Sequence, residues 1–230
     1  LFQDSTDGSL ARRFAVFTMV LCLVTVVLAL LWRGRIPGAA VGPTRRIAGV
    51  TVGAMALTTF LPTKWTHHFG IYAGLAGALA IAAAVAVSPA VLRSRRNRAL
   101  FAGAMTSVVA ISFAGRNDWW YISAYGVPWF DKAPSIAGHG FAVAFLAVAV
   151  VLFALAAWYH IRPGTPGHTE SPSRLWSIPP LTVAAAALVV FEVASLAKGA
   201  VAQYPAYSLA RSNIDALTGS TCGLANDVLL

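Results

Sequence analysis

Two adjacent histidines, His67 and His68, share a polar turn with Lys64 and Trp65, in the stretch Leu61-Pro62-Thr63-Lys64-Trp65-Thr66-His67-His68-Phe69-Gly70. Lysine offers a compact point charge, and imidazole can donate a hydrogen bond in either protonation state. An indole presents a face to a sugar ring or a lipid chain. Together they suit an anionic phosphate head group. Neighbouring histidines also ligate metals, but no acid or cysteine lies within a few residues to complete a ligand set, so no metal is expected. Trp and Lys are equally the residues of an interfacial anchoring belt, which does not by itself require a histidine pair.

A second polar stretch runs from Gly115 to Lys132 and holds Arg116, Asn117, Asp118, Trp119, Trp120 and Tyr121, with six aromatics in the twelve residues 119–130. Aromatic faces with hydroxyl-binding polar groups suit a sugar or polyprenyl ligand. An aromatic belt with a re-entrant turn packed on its neighbours is the competing reading. Glu192 lies inside an apolar run, where an unpaired ionisable group is expensive. It is either functional or a polar contact to another helix, and Lys198 is near enough in sequence to assist it. Cys22 falls mid-run and reads as a small core residue. Cys222 is the single cysteine expected on the outer side, so a disulfide partner for it would lie outside this chain.

The elements that must position these groups are membrane helices. Of the 230 residues 58% are hydrophobic and 11% charged, with mean hydropathy +0.70, well away from the balance of soluble domains. Six apolar runs can be bracketed: Phe14–Trp32, Ile47–Phe60, Phe69–Leu92, Ala99–Ala114, Ser135–Tyr159 and Leu181–Ala197. A crossing helix needs about 20 apolar residues, so the second and fourth runs are short. The third is rich in Ala and Gly, which predicts close helix approach inside a bundle. The expected fold is all-α, a polytopic bundle of six transmembrane helices. Residues 1–13 form an outer segment, 14–197 the helical region, and 198–230 the start of a further domain.

The net charge of +9 would suggest nucleic acid in a soluble protein. Here the bases sit in alternate loops. Arg33, Arg35, Arg45, Arg46, Arg93, Arg95, Arg96, Arg98, Arg162 and Arg174 share their loops with one acid, Glu170, whereas the rest of the chain has seven bases and seven acids. The positive-inside rule places the arginine loops in the cytoplasm and both ends of the chain outside, in a multi-pass plasma-membrane protein. Arg93, Arg95, Arg96 and Arg98 read as this topology signal, or as a dock for anionic lipid or an acidic cytoplasmic partner. No nucleic acid is expected. The chain opens on Leu1 rather than Met and ends in a polar segment, so it reads as an internal piece of a longer protein.

The turn Pro62-Thr63-Lys64-Trp65-Thr66-His67-His68-Phe69-Gly70 closely resembles the mycobacterial Emb arabinosyltransferases. So do Trp119-Trp120-Tyr121 running on to Gly126-Val127-Pro128-Trp129, the stretch from Arg93 to Arg98, and Cys222-Gly223-Leu224-Ala225-Asn226-Asp227-Val228. The resemblance covers essentially the whole chain and leans to paralogue A over B or C. It implies the C-terminal membrane part of a GT-C type glycosyltransferase, followed by the beginning of a periplasmic carbohydrate-binding domain. Such enzymes transfer arabinofuranose from decaprenyl-phosphoryl-arabinose to cell-wall arabinan, work as homo- or hetero-dimers, and are targets of ethambutol. The resemblance points to Trp65 and His67 at the donor phosphate, with Lys64 and His68 beside them. It places the catalytic aspartate upstream, so no catalytic residue is expected here and the segment alone should be inactive. No cofactor is expected in this segment, while a divalent cation elsewhere in the longer protein stays open. Two alternatives have no catalytic part: a membrane scaffold subunit, or half of a transporter using Glu192.

Overall fold

The computed structural model describes residues 9–62, 66–88, 94–119, 125–162, 179–204 and 208–220, with residues 66 and 67 as backbone alone. Each of the six apolar runs contains a helix. These are α1 (Leu10–Arg33), α2 (Val41–Thr58), α3 (Ala73–Ala86, entered through a 3₁₀ turn Thr66–Tyr72), α4 (Arg95–Phe113), α5 (Phe141–Ile161) and α6 (Pro180–Gln203). A short helix α7 (Leu209–Leu217) follows, and a two-residue hairpin, β1 (Ser135–Ile136) with β2 (His139–Gly140), precedes α5.

The helix ends follow local chemistry. Gly34 closes α1 at φ +69° and returns its N–H to the Leu30 carbonyl, the left-handed cap that glycine adopts without strain. Ser94 caps α4 by accepting from the Asn97 N–H at 3.4 Å, which satisfies one otherwise orphaned donor. Pro180 opens α6, where its missing N–H costs nothing.

Among the described residues four helical spans are long and apolar enough to cross a membrane: Leu10–Arg33, His68–Ala86, Phe141–Ile161 and Pro180–Gln203. Helices α2 and α4 are more polar, for two related reasons. Thr44, Thr51 and Thr58 of α2 and Thr106, Ser107 and Ser112 of α4 donate their hydroxyls to carbonyls three or four residues back at 2.7–2.9 Å. Their polarity is thereby spent within the helix. In addition, α4 is the central helix, packed on α1, α5 and α6, so protein rather than lipid shields much of it.

The main core joins α1, α3 and α4 through Met19, Cys22, Val26, Leu79, Ala83 and Met105. The Ala-rich α3 buries one stripe, Leu79, Ala83 and Ala86, and leaves Ile81 exposed. Gly74 and Gly77 have nothing within 4 Å of a would-be Cβ, so they are not where helices approach closely, contrary to the expectation from composition. Close approach occurs at Gly103 of α4 instead, where a Cβ would stand 2.9 Å from the Phe153 ring of α5.

The fifth apolar run also differs from expectation. Its first residues form the hairpin, which turns through Ala137 (φ +49°) and Gly138 (φ +81°), the positive-φ pair of a tight two-residue turn. Helix α5 therefore starts at Phe141 rather than Ser135. Helix α6 runs to Gln203, beyond the expected end at Ala197, because Lys198 and Gln203 both find carbonyl partners in a neighbouring loop.

Candidate functional site

Helices α1 and α4 lie antiparallel. Leu10 donates its N–H to the Arg116 carbonyl at 2.9 Å, and the buried Arg13 reaches the Ile111 carbonyl at 3.4 Å. Lys198, near the end of α6, donates to the Gly126 carbonyl at 3.2 Å, and Gln203 to the Tyr125 carbonyl at 2.8 Å. The start of α1, the end of α4, the loop after α4 and the end of α6 thus meet at one end of the bundle. At the other end Arg96 meets His160 at 3.1 Å, and the Arg162 guanidinium lies over the Trp158 ring at 4.3 Å. The arginines Arg33, Arg95, Arg96 and Arg162 share that second end.

At the first end an aromatic cluster fastens the loop. Phe113 of α4 packs against Phe141 and Phe145 of α5 and Phe191 of α6, with centroids 5.2–5.9 Å apart. Trp129 covers the cluster, stacked on Phe191 at 5.9 Å and edge-on to Phe141 at 5.7 Å, with its indole N–H donating to the Ser135 carbonyl at 3.1 Å. Its backbone sits at φ +57°, a conformation that costs a bulky L-residue about 1–3 kcal/mol and persists only when the surroundings impose it. Asn117, 1% exposed, contributes to that imposition. Its backbone N–H donates to the Trp129 carbonyl at 2.9 Å, and its Nδ2 to the Pro128 carbonyl at 3.2 Å. Part of the aromatic excess in this loop is therefore packing.

Trp119 and Glu192 stand apart from that packing. Glu192, on α6 beside Phe191, is 8% exposed, and neither carboxyl oxygen has a well-formed hydrogen bond among the described residues. The indole N–H of Trp119 is directed at this carboxyl as a weak hydrogen-bond donor. Asn117 Oδ1 is enclosed and unpartnered as well. Lys198 is committed to Gly126 and does not assist Glu192 as its proximity in sequence suggested. The sequence had set Trp119 and Glu192 in separate candidate groups; the fold brings them together.

The first motif is placed less fully. Lys64 and Trp65 lie outside the described residues, as do Arg93, Trp120, Tyr121 and Cys222. His67 and His68 belong to the 3₁₀ turn leading into α3, with His68 half-buried. Beside them Tyr72 is buried and donates its hydroxyl to Thr58 Oγ1 at 3.3 Å, tying the turn to the end of α2. Arg116, half-buried, anchors α1 through its carbonyl. No group of three or more His, Cys, Asp or Glu able to hold a metal occurs among the described residues. Sequence reasoning missed Arg13 and the structural role of Trp129. An arginine doublet reads as a charged flank, and a left-handed tryptophan has no sequence signature.

Residues 1–162 match the family described as mycobacterial cell wall arabinan synthesis protein, and residues 193–230 match the EmbC C-terminal domain. The chain is 50% identical to a probable arabinosyltransferase C of Mycolicibacterium smegmatis over 100% of its own length and 22% of that protein. It is 45% identical to a probable arabinosyltransferase A of Mycobacterium avium over 99% of its length and 21% of that protein. The chain therefore spans about a fifth of the length of these curated relatives. These identities favour paralogue C over A, which corrects the lean taken from the motifs. The cryo-EM structure of arabinosyltransferase EmbB from Mycobacterium smegmatis superposes with a TM-score of 0.77 at 40% identity, covering 89% of this chain and 19% of that one.

Proposed function

The chain belongs to the family of mycobacterial cell wall arabinan synthesis proteins, and from that premise we propose that it is the membrane part of an arabinosyltransferase that helps to build the donor-lipid site. In this reading the donor is decaprenyl-phosphoryl-arabinose, and the acceptor is the arabinan of arabinogalactan or lipoarabinomannan. All six long helices cross the plasma membrane, and both ends of the chain lie on the periplasmic side.

The observation that supports this reading most is the polarity of the bundle. One end carries the arginines, and the other collects residues 115–119 and 125–129 and the end of α6, where Asn117 and Glu192 are buried. The positive-inside rule assigns the arginine end to the cytoplasm and so leaves the polar loops facing a periplasmic lipid-linked sugar. A transporter reading gains no support from α6, which is unbroken through Glu192, whereas coupling sites in transporters favour discontinuous helices.

In the proposed transfer an acceptor hydroxyl attacks the anomeric carbon and its proton passes to a general base. The bond from that carbon to the phosphate oxygen breaks, and the polyprenyl phosphate departs as an anion. Donors already aimed at that charge stabilise the transition state more than the ground state. Lys64, His67 and His68 fill this role, with Trp65 against the sugar or the lipid. The base belongs to the upstream region, so this segment alone is inactive, and it supplies no cofactor.

His67→Ala in the longer enzyme that carries this segment should lower arabinose transfer roughly a hundredfold, the scale of losing one transition-state donor. Donor affinity and turnover both equal to wild type would remove His67 from the site.

A further inference from the structure

We infer that the adjoining ends of α4 and α5 form a docking site for the phosphate of an anionic phospholipid, built by Arg96, His160 and Arg162 with Trp158 beside them. The inference uses only the reading that these helices cross the membrane, and none of its residues belongs to the proposed donor-phosphate turn.

Arg96 lies in the first turn of α4 and His160 in the last turn of α5, and the fold sets these two basic side chains in contact, Nη1 of one 3.1 Å from Nδ1 of the other. A guanidinium only donates, so Nδ1 is the accepting nitrogen and the ring keeps its proton on Nε2. Arg96 is held a second time through its Nε, which donates to Asn97 Oδ1 at 3.0 Å. Two residues beyond His160, the Arg162 guanidinium lies 4.3 Å over the Trp158 ring. That contact engages the face of the cation and leaves its edge N–H groups available.

This end of the bundle is left cationic. The acids among the described residues are Asp118, Asp131, Glu192 and Asp215, which lie in the loop after α4, on α6 beside Phe191, and in α7, at or beyond the other end. Glu170, outside the described residues, is one acid against the ten bases of the arginine loops. Two guanidiniums and an imidazole N–H therefore gather without a counter-ion, a donor set that suits the charged oxygens of a phosphodiester.

The surroundings favour a lipid as the source of that phosphate. Trp158 and Ile161 are exposed on the last turn of a helix long and apolar enough to cross a membrane, so they and the bases sit where head groups meet acyl chains. An acidic water-soluble protein would use the bases and leave this apolar flank uncovered. A topology signal needs charge alone, and the contact across to α5 adds a geometry that orientation does not require. That geometry is set by packing, since a Cβ on Gly103 of α4 would stand 2.9 Å from the Phe153 ring of α5. The spacing of the two helix ends is thus fixed independently of the bases, as a specific site needs.

The test uses the 230-residue chain in a mild detergent, with bound lipid counted by native mass spectrometry. The probes are phosphatidylglycerol and phosphatidylcholine of identical acyl chains, and glycerophosphoglycerol, which carries the phosphodiester without the chains. Wild type should prefer phosphatidylglycerol by about tenfold, and Arg96→Gln with Arg162→Gln should cut the preference to about twofold or less, the scale of two bases near a charged surface. Arg45→Gln with Arg46→Gln removes the same charge from the exposed start of α2 and should leave the preference unchanged. Arg96→Lys keeps the charge but loses the planar fork, and should lower the preference even if the first double variant fails to fold. Equal retention of both lipids by wild type, equal losses in the two double variants, or displacement of the lipid by equimolar glycerophosphoglycerol would each overturn the proposal. Capture of poly-glutamate with no lipid preference would overturn it too, and would give the surface to an acidic protein. The transfer assay on His67 reads a different turn of the chain, so either assignment can fail while the other stands.

Discussion

At the scale of single residues, Trp129 is the most informative position in the loop after α4. Its left-handed backbone and its ring contacts oppose one another energetically, and the ring contacts prevail. Removing the ring should destabilise the fold by about 3 kcal/mol, the usual scale for losing a large aromatic. The identity of the replacement then reports on the backbone. Alanine keeps a Cβ in the left-handed region, which costs roughly 1–2 kcal/mol, and glycine does not. Trp129→Gly should accordingly lie about 1 kcal/mol above Trp129→Ala in stability, the reverse of their order in a helix. Size-exclusion thermal stability in detergent would measure it, and Ala outlasting Gly would mean that the φ of +57° is not maintained in solution. None of this could be read from the sequence, where Trp129 is one aromatic among six. Residue types sufficed for the candidate list, including Trp119 and Glu192. The contact between those two depends on a loop folding back over a distant helix, and neither local pattern records it.

At the scale of elements, the seam between this loop and α6 explains why the helix outruns its apolar segment. Gly126, at φ +81°, lies against α6 where a Cβ would stand 2.5 Å from Ala202 Cβ, and a Cβ on Gly199 would meet Val127 Cγ2 at 2.9 Å. Gly199→Ala should therefore destabilise by about 1–3 kcal/mol through overpacking. Combined with Val127→Ala, the clash disappears and the better helix propensity of alanine, worth up to about 1 kcal/mol, becomes visible. In a thermal-stability double-mutant cycle the sign of Gly199→Ala should invert between the two backgrounds. The same sign in both would mean that the seam is looser than the contacts indicate. Helix existence was legible because hydrophobic runs report burial in lipid or protein directly. Helix ends were not, because Lys198 and Gln203 are stabilised by carbonyls of a loop far off in sequence. The hairpin at 135–140 was hidden for a related reason: two-residue strands are too short for any alternation to register against an apolar background.

At the scale of the whole molecule, two independent observations bear on sidedness. The sequence divides its charge so that every unit of excess falls in alternate loops, and the fold brings bases of those loops to one end through the Arg96–His160 contact and the antiparallel pairing of α1 with α4. A bundle so polarised has one favourable orientation, because moving that many arginines across the bilayer opposes the insertion bias. Topology can be tested with single cysteines, since Cys22 is fully buried and Cys222 can be replaced by serine. With the chain expressed in intact cells, Asp131→Cys, in the exposed loop before the hairpin, should react with a membrane-impermeant maleimide. Arg35→Cys, exposed beyond the end of α1, should react after permeabilisation alone. The reverse pattern would place the Glu192 cluster at the cytoplasmic surface, out of reach of a periplasmic sugar, and the donor-site reading would fall with it. Equal labelling of both positions in intact cells would mean that α2, α3 and α4, which lie between them, do not make an odd number of crossings. The orientation of the bundle thus decides whether the chemistry proposed for its polar end has access to a substrate.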